Sequence, residues 1–136
     1  MLSLWLAAPL LLMGCGVLLW WLYRRERMLS RQRNQAERQA QELLRRMLQP
    51  NELHQLRIHR FLEVGSRLIP GRVYRIPHRR GQVRVYESGR HIGNLCIEPT
   101  RWVPDSDIVL IHKLLLEADE ATYLSTANLF KASLQI

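Results

Sequence analysis

Charge is missing from the start of this chain: no Asp, Glu, Lys, Arg or His occurs from Met1 to Tyr23. Cysteine is nearly missing as well. Cys15 sits in that apolar stretch and Cys96 far along the chain, so a structural disulfide is not expected and a reducing compartment suits both thiols. Lysine is reduced to Lys113 and Lys131, which leaves arginine to carry almost all of the basic charge. Several signatures of chemistry are absent too. There is no nucleotide-binding glycine loop, no His-Glu-x-x-His, no Gly-x-Ser-x-Gly elbow, no cysteine pairs spaced for zinc and no Arg-Gly-Phe-Gly-Phe type of RNA-binding strand. No catalytic residue, metal ligand or cofactor is therefore assigned.

What is there begins with the apolar run Leu2 to Tyr23, ended abruptly by Arg24-Arg25-Glu26-Arg27. As a helix it would span about 30 Å, the thickness of a bilayer's hydrocarbon core. Trp5 lies near one end and Trp20, Trp21 and Tyr23 near the other, the placement of interfacial aromatic belts. Arg24, Arg25 and Arg27 complete the membrane-interface set. By the positive-inside rule the N-terminus lies outside and the remainder is cytoplasmic, at a plasma or inner membrane. No basic start or small-residue cleavage site marks a signal peptide. Leu12-Met13-Gly14-Cys15 looks like a lipoprotein box, but the run stays apolar through Leu22, so Cys15 reads as a small apolar helix residue. No Gly-x-x-x-Gly pair gives the segment a dimerisation motif.

The net charge of +8 is uneven: +5 over 24–49, +6 over 50–104 and −3 over 105–136. An anionic leaflet attracts each nearby cation by about 1 kcal/mol, so membrane lipids account most simply for the first basic block. Residues 24–49 lack Gly and Pro and are rich in helix formers. Ala36, Ala40, Leu43 and Met47, with Leu44 and Leu48 beside them, form an apolar stripe. It suits packing on the domain or homo-oligomerisation through 36–48, although two heptads fall short of a secure coiled coil. Pro50 is expected to stop this helix.

The remainder reads as a small α+β domain. Asn51 is the expected N-cap of a helix from Glu52 to about Arg60. Phe61 to Val64, Arg72 to Ile76, Gln82 to Glu87 and Arg90 to Glu98 then alternate as strands, separated by Pro70-Gly71, 77–81 and Ser88-Gly89. They predict a three- or four-stranded antiparallel meander. Tyr74, Ile76, Val83 and Val85 form its apolar face and Arg75 and Arg84 the opposite one, so a helical layer is expected over the apolar side. Pro104-Asp105-Ser106-Asp107 starts a buried helix through Leu116. Glu117 to Glu120 is the break before a second helix, with Tyr123, Leu124, Ala127, Phe130 and Leu134 on one face. The domains expected are an anchor (1–23), a basic juxtamembrane helix (24–49) and an α+β domain (50–136).

The candidate binding site is an arginine hairpin: Arg72, Arg75, Arg79, Arg80, Arg84 and Arg90, with Tyr74, Tyr86 and His78 interleaved. Arginines and aromatics on a sheet can hold phosphates and stack bases. The same pattern also serves as a solvated face that keeps a domain soluble beside an anionic membrane. His112, on the buried helix, is a candidate buried polar group and the one candidate for metal-dependent hydrolysis. A lone histidine with carboxylates on other helix faces makes no ligand set. Cys96 and His91 should lie on opposite faces of a strand, which does not make a nucleophile pair. The expected function is a single-pass membrane-anchored accessory or interaction module with a protein partner. The alternative is binding of nucleic acid or acidic headgroups through the hairpin.

Overall fold

A computed structural model describes residues 2–97 and 99–131, with side chains at 13, 15–97 and 99–130. The chain divides into two compact units, Met1–Ala36 and Glu37–Ile136. The first is helical, part of α1 (Leu2–Met47). Trp20, Trp21 and Tyr23 each carry an arginine from one turn further on over the ring: Arg24 at 5.1 Å, Arg25 at 5.6 Å and Arg27 at 4.4 Å. Such pairs contribute about 0.5–1 kcal/mol each at exposed sites. Among the described residues no helix is long and apolar enough to cross a membrane. The anchor expected at 1–23 rests largely on residues 1–12 and 14, whose side chains, Trp5 included, lie outside the described residues.

The second unit takes in the last turns of α1. Ala40, Leu44 and Leu48 are buried there, whereas Leu43 and Met47 stay exposed. The expected stripe thus resolves into a single i, i+4, i+8 row that faces the unit's own core. Pro50 does not act as the stop. It is the first residue of α2 (Pro50–His59), where a missing N–H costs nothing. The N-cap is Gln49 and not Asn51, and the Glu52 carboxylate reaches back to accept from the Gln49 backbone N–H at 2.9 Å.

Strands β1 (Phe61–Gly65), β2 (Arg72–Pro77), β3 (Val83–Glu87), β4 (Arg90–Cys96) and β5 (Asn128–Lys131) form one antiparallel sheet in sequence order. The meander therefore has five strands. Pro70-Gly71 makes a turn closed by Arg72 N–H to the Ile69 carbonyl at 3.2 Å, with Gly71 at φ +77°, the proline-glycine order of a type II turn. Ser88 and Gly89, both at positive φ, form the two-residue turn whose twist matches the flanking strands.

Leu62, Val64, Tyr74, Ile76, Val83, Val85 and Leu95 point to one face and are buried. Over them pack Leu44, Leu48, Tyr123, Ala127 and the apolar side of α3 (Asp105–Ala118), in one continuous core. The one-sided alternation predicted for the sheet is the observed one. The helix expected through Phe130 is not. α4 (Glu120–Thr126) ends early, Ala127 turns extended and Asn128–Lys131 becomes the edge strand beside β4. Ser125 and Thr126 send their hydroxyls to the Thr122 carbonyl at 2.9 and 2.8 Å, the local competition that weakens a helix, while the open edge of β4 offers four residues of pairing. Leu134 lies outside the described residues.

Two carboxylates tie the layers together. Glu37 accepts from the Asp105 and Ser106 N–H groups and the Ser106 hydroxyl at 2.7, 3.2 and 2.6 Å, capping α3 from a distant helix. Glu120, 5% exposed, accepts from the Tyr74 and Ser66 hydroxyls and the Arg67 and Leu68 N–H groups. Burial pushes its pKa up, but these bonds outweigh burial and hold the carboxyl below its ordinary range. Burial first, then the bond to Glu120, pushes the Tyr74 hydroxyl up to about 12.

Candidate anion-binding cleft

Among the described residues no helix of the core layer packs on the sheet's second face. Glu63 and Arg75 face each other across β1 and β2, and Arg75 and Arg84 across β2 and β3. Arg84 in turn faces Asn94 on β4. The Arg75 Nε donates to the Glu63 carboxylate at 2.7 Å. Its guanidinium also lies between two rings, 4.8 Å from the Phe61 centroid and 4.3 Å from that of Tyr86. His59 against Phe61 (5.8 Å) and His91 against Tyr86 (5.3 Å) extend the row to a continuous stack from the end of α2 to β4.

Beside this row opens a cleft of about 550 Å³. Arg60, Arg75 and Arg84 line it, together with His59, Phe61, Pro77, His78, Gly81, Gln82 and Asn94. No carboxylate is among them. Arg60 adopts the left-handed conformation at the end of α2, φ 63°, which costs a residue with a Cβ roughly 1 kcal/mol. Its carbonyl accepts from the His78 backbone N–H at 3.0 Å and from Nδ1 of the same residue at 3.1 Å. A carbonyl only accepts, so that Nδ1 bears the proton.

The structure divides the six predicted arginines. Arg75 and Arg84 meet in the cleft. Arg72 pairs with Glu87 at 3.3 Å, and its Nε is buried with no hydrogen-bond partner among the described residues. Arg80 donates to the Val103 carbonyl at 2.8 Å and lies 3.7 Å from Asp105. Arg79 lies outside the cleft lining, and Arg90 follows the β3–β4 turn at the other end of the hairpin; both are exposed. Tyr74, interleaved with these arginines in sequence but expected on the apolar face, is on the core side with no exposed surface, while Tyr86 is on the basic face. Arg60, His59, Phe61, Gln82 and Asn94 were not part of the predicted site. Phe61 to Val64 was visible as a strand, but only its register, Phe61 opposite Pro77, shows that the end of α2 arrives beside Arg84.

The other candidates lie elsewhere. His112 is 2% exposed, shares a 2.8 Å hydrogen bond with the Tyr123 hydroxyl, and is pushed down to about 4 by burial. Lys113 is bound by Glu52 and Glu117. Asp119 caps α4 through the Thr122 N–H at 3.0 Å, and among the described residues no His, Cys, Asp or Glu group could hold a metal ion. His91 Nε2 bonds the Asn94 side-chain oxygen at 3.0 Å, and Cys96 is half-buried at the end of β4. Trp20, Trp21, Tyr23, Arg24, Arg25 and Arg27 belong to the first unit. The chain matches no protein-family model, no curated protein and no solved structure.

Proposed function

We propose that this chain is a single-pass, membrane-anchored binding module, not an enzyme, with a small cytoplasmic α+β domain that serves a protein partner in the membrane or the cytoplasm. The anchor rests on the uncharged run Leu2 to Tyr23 and its arginine boundary. The observation that carries the binding role is that, among the described residues, the core helices cover one face of the sheet and the other bears a polar cleft. The burial of His112 and the bond from its ring to Tyr123 support this reading over a hydrolytic one. Crosslinking and pull-down of the intact chain from its native membrane should yield a defined complex, and the chain should resist carbonate extraction. Release into the carbonate wash would remove the anchor, and a monodisperse, uncrosslinked monomer would remove the partner.

The cleft favours a second reading, in which the basic face binds an anion, with nucleic acid and acidic lipid headgroups as the two expected sources. Replacing Arg75, Arg79, Arg80 and Arg84 together with Gln should then abolish retention on polyanions at moderate salt. Unchanged retention would end this reading.

A further inference from the structure

We propose that the cleft is a phosphomonoester site. In it Arg60 and Arg84 hold the ligand's terminal oxygens, and Arg75 is locked in place as a third donor by Glu63, Phe61 and Tyr86. The proposal rests on the anion-binding reading and names its ligand.

The first argument is chemical. Three arginines line the cleft, and a guanidinium only donates. The Asn94 side-chain oxygen is taken by His91, which leaves its amide N–H groups to donate. Glu63 is outside the lining and bound to Arg75. A site rich in donors calls for a ligand rich in acceptors, and a terminal phosphate presents three oxygens with no proton to return. Charge agrees: three arginines less Glu63 leave a formal charge of two, which a phosphomonoester dianion neutralises.

The second argument is energetic. Arg75 and Arg84 are direct cross-strand neighbours. Like charges placed opposite each other destabilise a sheet, and Glu63 answers only one of them. Arg60 adds a strained backbone on the same rim. Repulsion and strain gathered at one cleft are what a binding site accepts and a merely solvated face avoids. The third argument is preorganisation. Arg75 is fixed by one charged bond and two rings, and the Arg60 backbone by two bonds to His78, so the ordering left for binding is that of the exposed Arg60 and Arg84 side chains. The volume suits a phosphorylated small group and not a stacked polymer.

A terminal phosphate can come from a soluble metabolite or from a lipid headgroup, and the test separates them. The full chain in neutral detergent micelles is titrated with inorganic phosphate, with glycerol 3-phosphate, and with phosphatidic acid or phosphatidylserine doped into the micelles. Arg60→Gln or Arg84→Gln should weaken glycerol 3-phosphate binding about tenfold to a hundredfold, the loss of one charge-assisted hydrogen bond. Arg79→Gln and Arg90→Gln should leave it unchanged. Phosphatidic acid binding tighter than glycerol 3-phosphate, with phosphatidylserine weak, assigns the lipid source; the reverse order assigns the soluble one. Arg84→Gln should also melt no lower than the parent without ligand, because it relieves the cross-strand repulsion. Lost binding with a lower melting temperature would make Arg84 structural and overturn the proposal. Equal weakening by Arg79→Gln and Arg90→Gln, or equal binding of phosphatidylserine and of a single-stranded oligothymidylate, would leave general anion binding standing and overturn the site. If no anion binds at all, both fall.

Discussion

Replacing Glu120 with alanine tests the reasoning about the fold most directly. The carboxylate accepts four donors: the Ser66 hydroxyl at 2.5 Å, the Tyr74 hydroxyl at 2.6 Å, and the N–H groups of Arg67 and Leu68 at 2.7 and 3.1 Å. Ser66 in turn accepts from the Ile69 N–H at 2.9 Å. The whole approach to the Pro70-Gly71 turn therefore hangs on one side chain of α4. Arg67 and Leu68 are exposed, so water can replace the carboxylate at their N–H groups. Water cannot do so at Tyr74, which has no exposed surface. An orphaned buried hydroxyl costs about 1–3 kcal/mol, and the lost charged hydrogen bonds add a similar amount, so Glu120→Ala should destabilise the domain by about 3–4 kcal/mol.

The assay is chemical denaturation of the full chain in non-ionic detergent, read by near-ultraviolet circular dichroism, which reports tyrosine packing and not the helix of the first unit. Tyr74→Phe alone should cost about 1 kcal/mol. The double variant should cost less than the sum of the two by about 1–2 kcal/mol, because it leaves no orphan. The folded carboxyl lies below its ordinary range, so its contribution is present above the unfolded value of 4.5 and is lost as pH falls through the folded value. Glu120→Ala should flatten that limb of the stability curve. A cost under about 0.5 kcal/mol, or strict additivity with Tyr74→Phe, would refute the argument.

Other perturbations follow from the same packing. His112 is held neutral by burial, with its folded value near 4 against 6.5 unfolded. The unfolded chain therefore takes up the proton first, and stability should fall as pH drops from about 6.5 to about 4, by roughly 3 kcal/mol. His112→Gln should flatten that window in a melting series, and an unchanged profile would count against a sealed histidine. Leu44→Ala should cost about 2–5 kcal/mol and Leu43→Ala close to nothing, since one is in the core and the other exposed. Equal losses in urea titrations would mean that the end of α1 is not part of the domain. Glu37→Ala removes the cap of α3 and should cost about 1–2 kcal/mol, with faster amide exchange confined to the first turn at Asp105 and Ser106. Uniform exchange along α3 would contradict capping.

The sequence made the sheet legible because its evidence is local. Tyr74, Ile76, Val83 and Val85 alternate with arginines, and alternation with period two is a property of each strand alone. Pro70-Gly71 and Ser88-Gly89 carry their turns in their own backbone preferences. α3 was legible for a similar reason, an apolar run too short for a membrane and preceded by proline and acids. The errors fall where a distant partner decides. Phe130 fits a helical stripe with Tyr123 and Ala127, and only the open edge of β4 makes a strand the better use of Asn128–Lys131. Gln49 and Asn51 are both plausible caps, and the choice was made by where Glu52 reached. The α3 cap was beyond any local rule, since Glu37 lies 68 positions from Asp105.

The six predicted arginines are spread out for a physical reason. Six arginines close in sequence looked like one surface, but two strands and their turns face in several directions at once. Arg72 and Arg80 were drawn off by Glu87 and by Asp105 with the Val103 carbonyl, the acids and carbonyl that chance of register placed within reach. What assembled the cleft was the pairing of β1 with β2, which carries the end of α2 to the edge of Arg84 and supplies Arg60 from outside the hairpin. No composition or spacing rule encodes that meeting. The one trace of it in the chain is an arginine where a helix should end on glycine, between His59 and Phe61. A glycine there would hold the left-handed turn without strain, and Arg60→Gly should therefore raise the domain's stability by about 1 kcal/mol while removing the side chain that the proposed site uses.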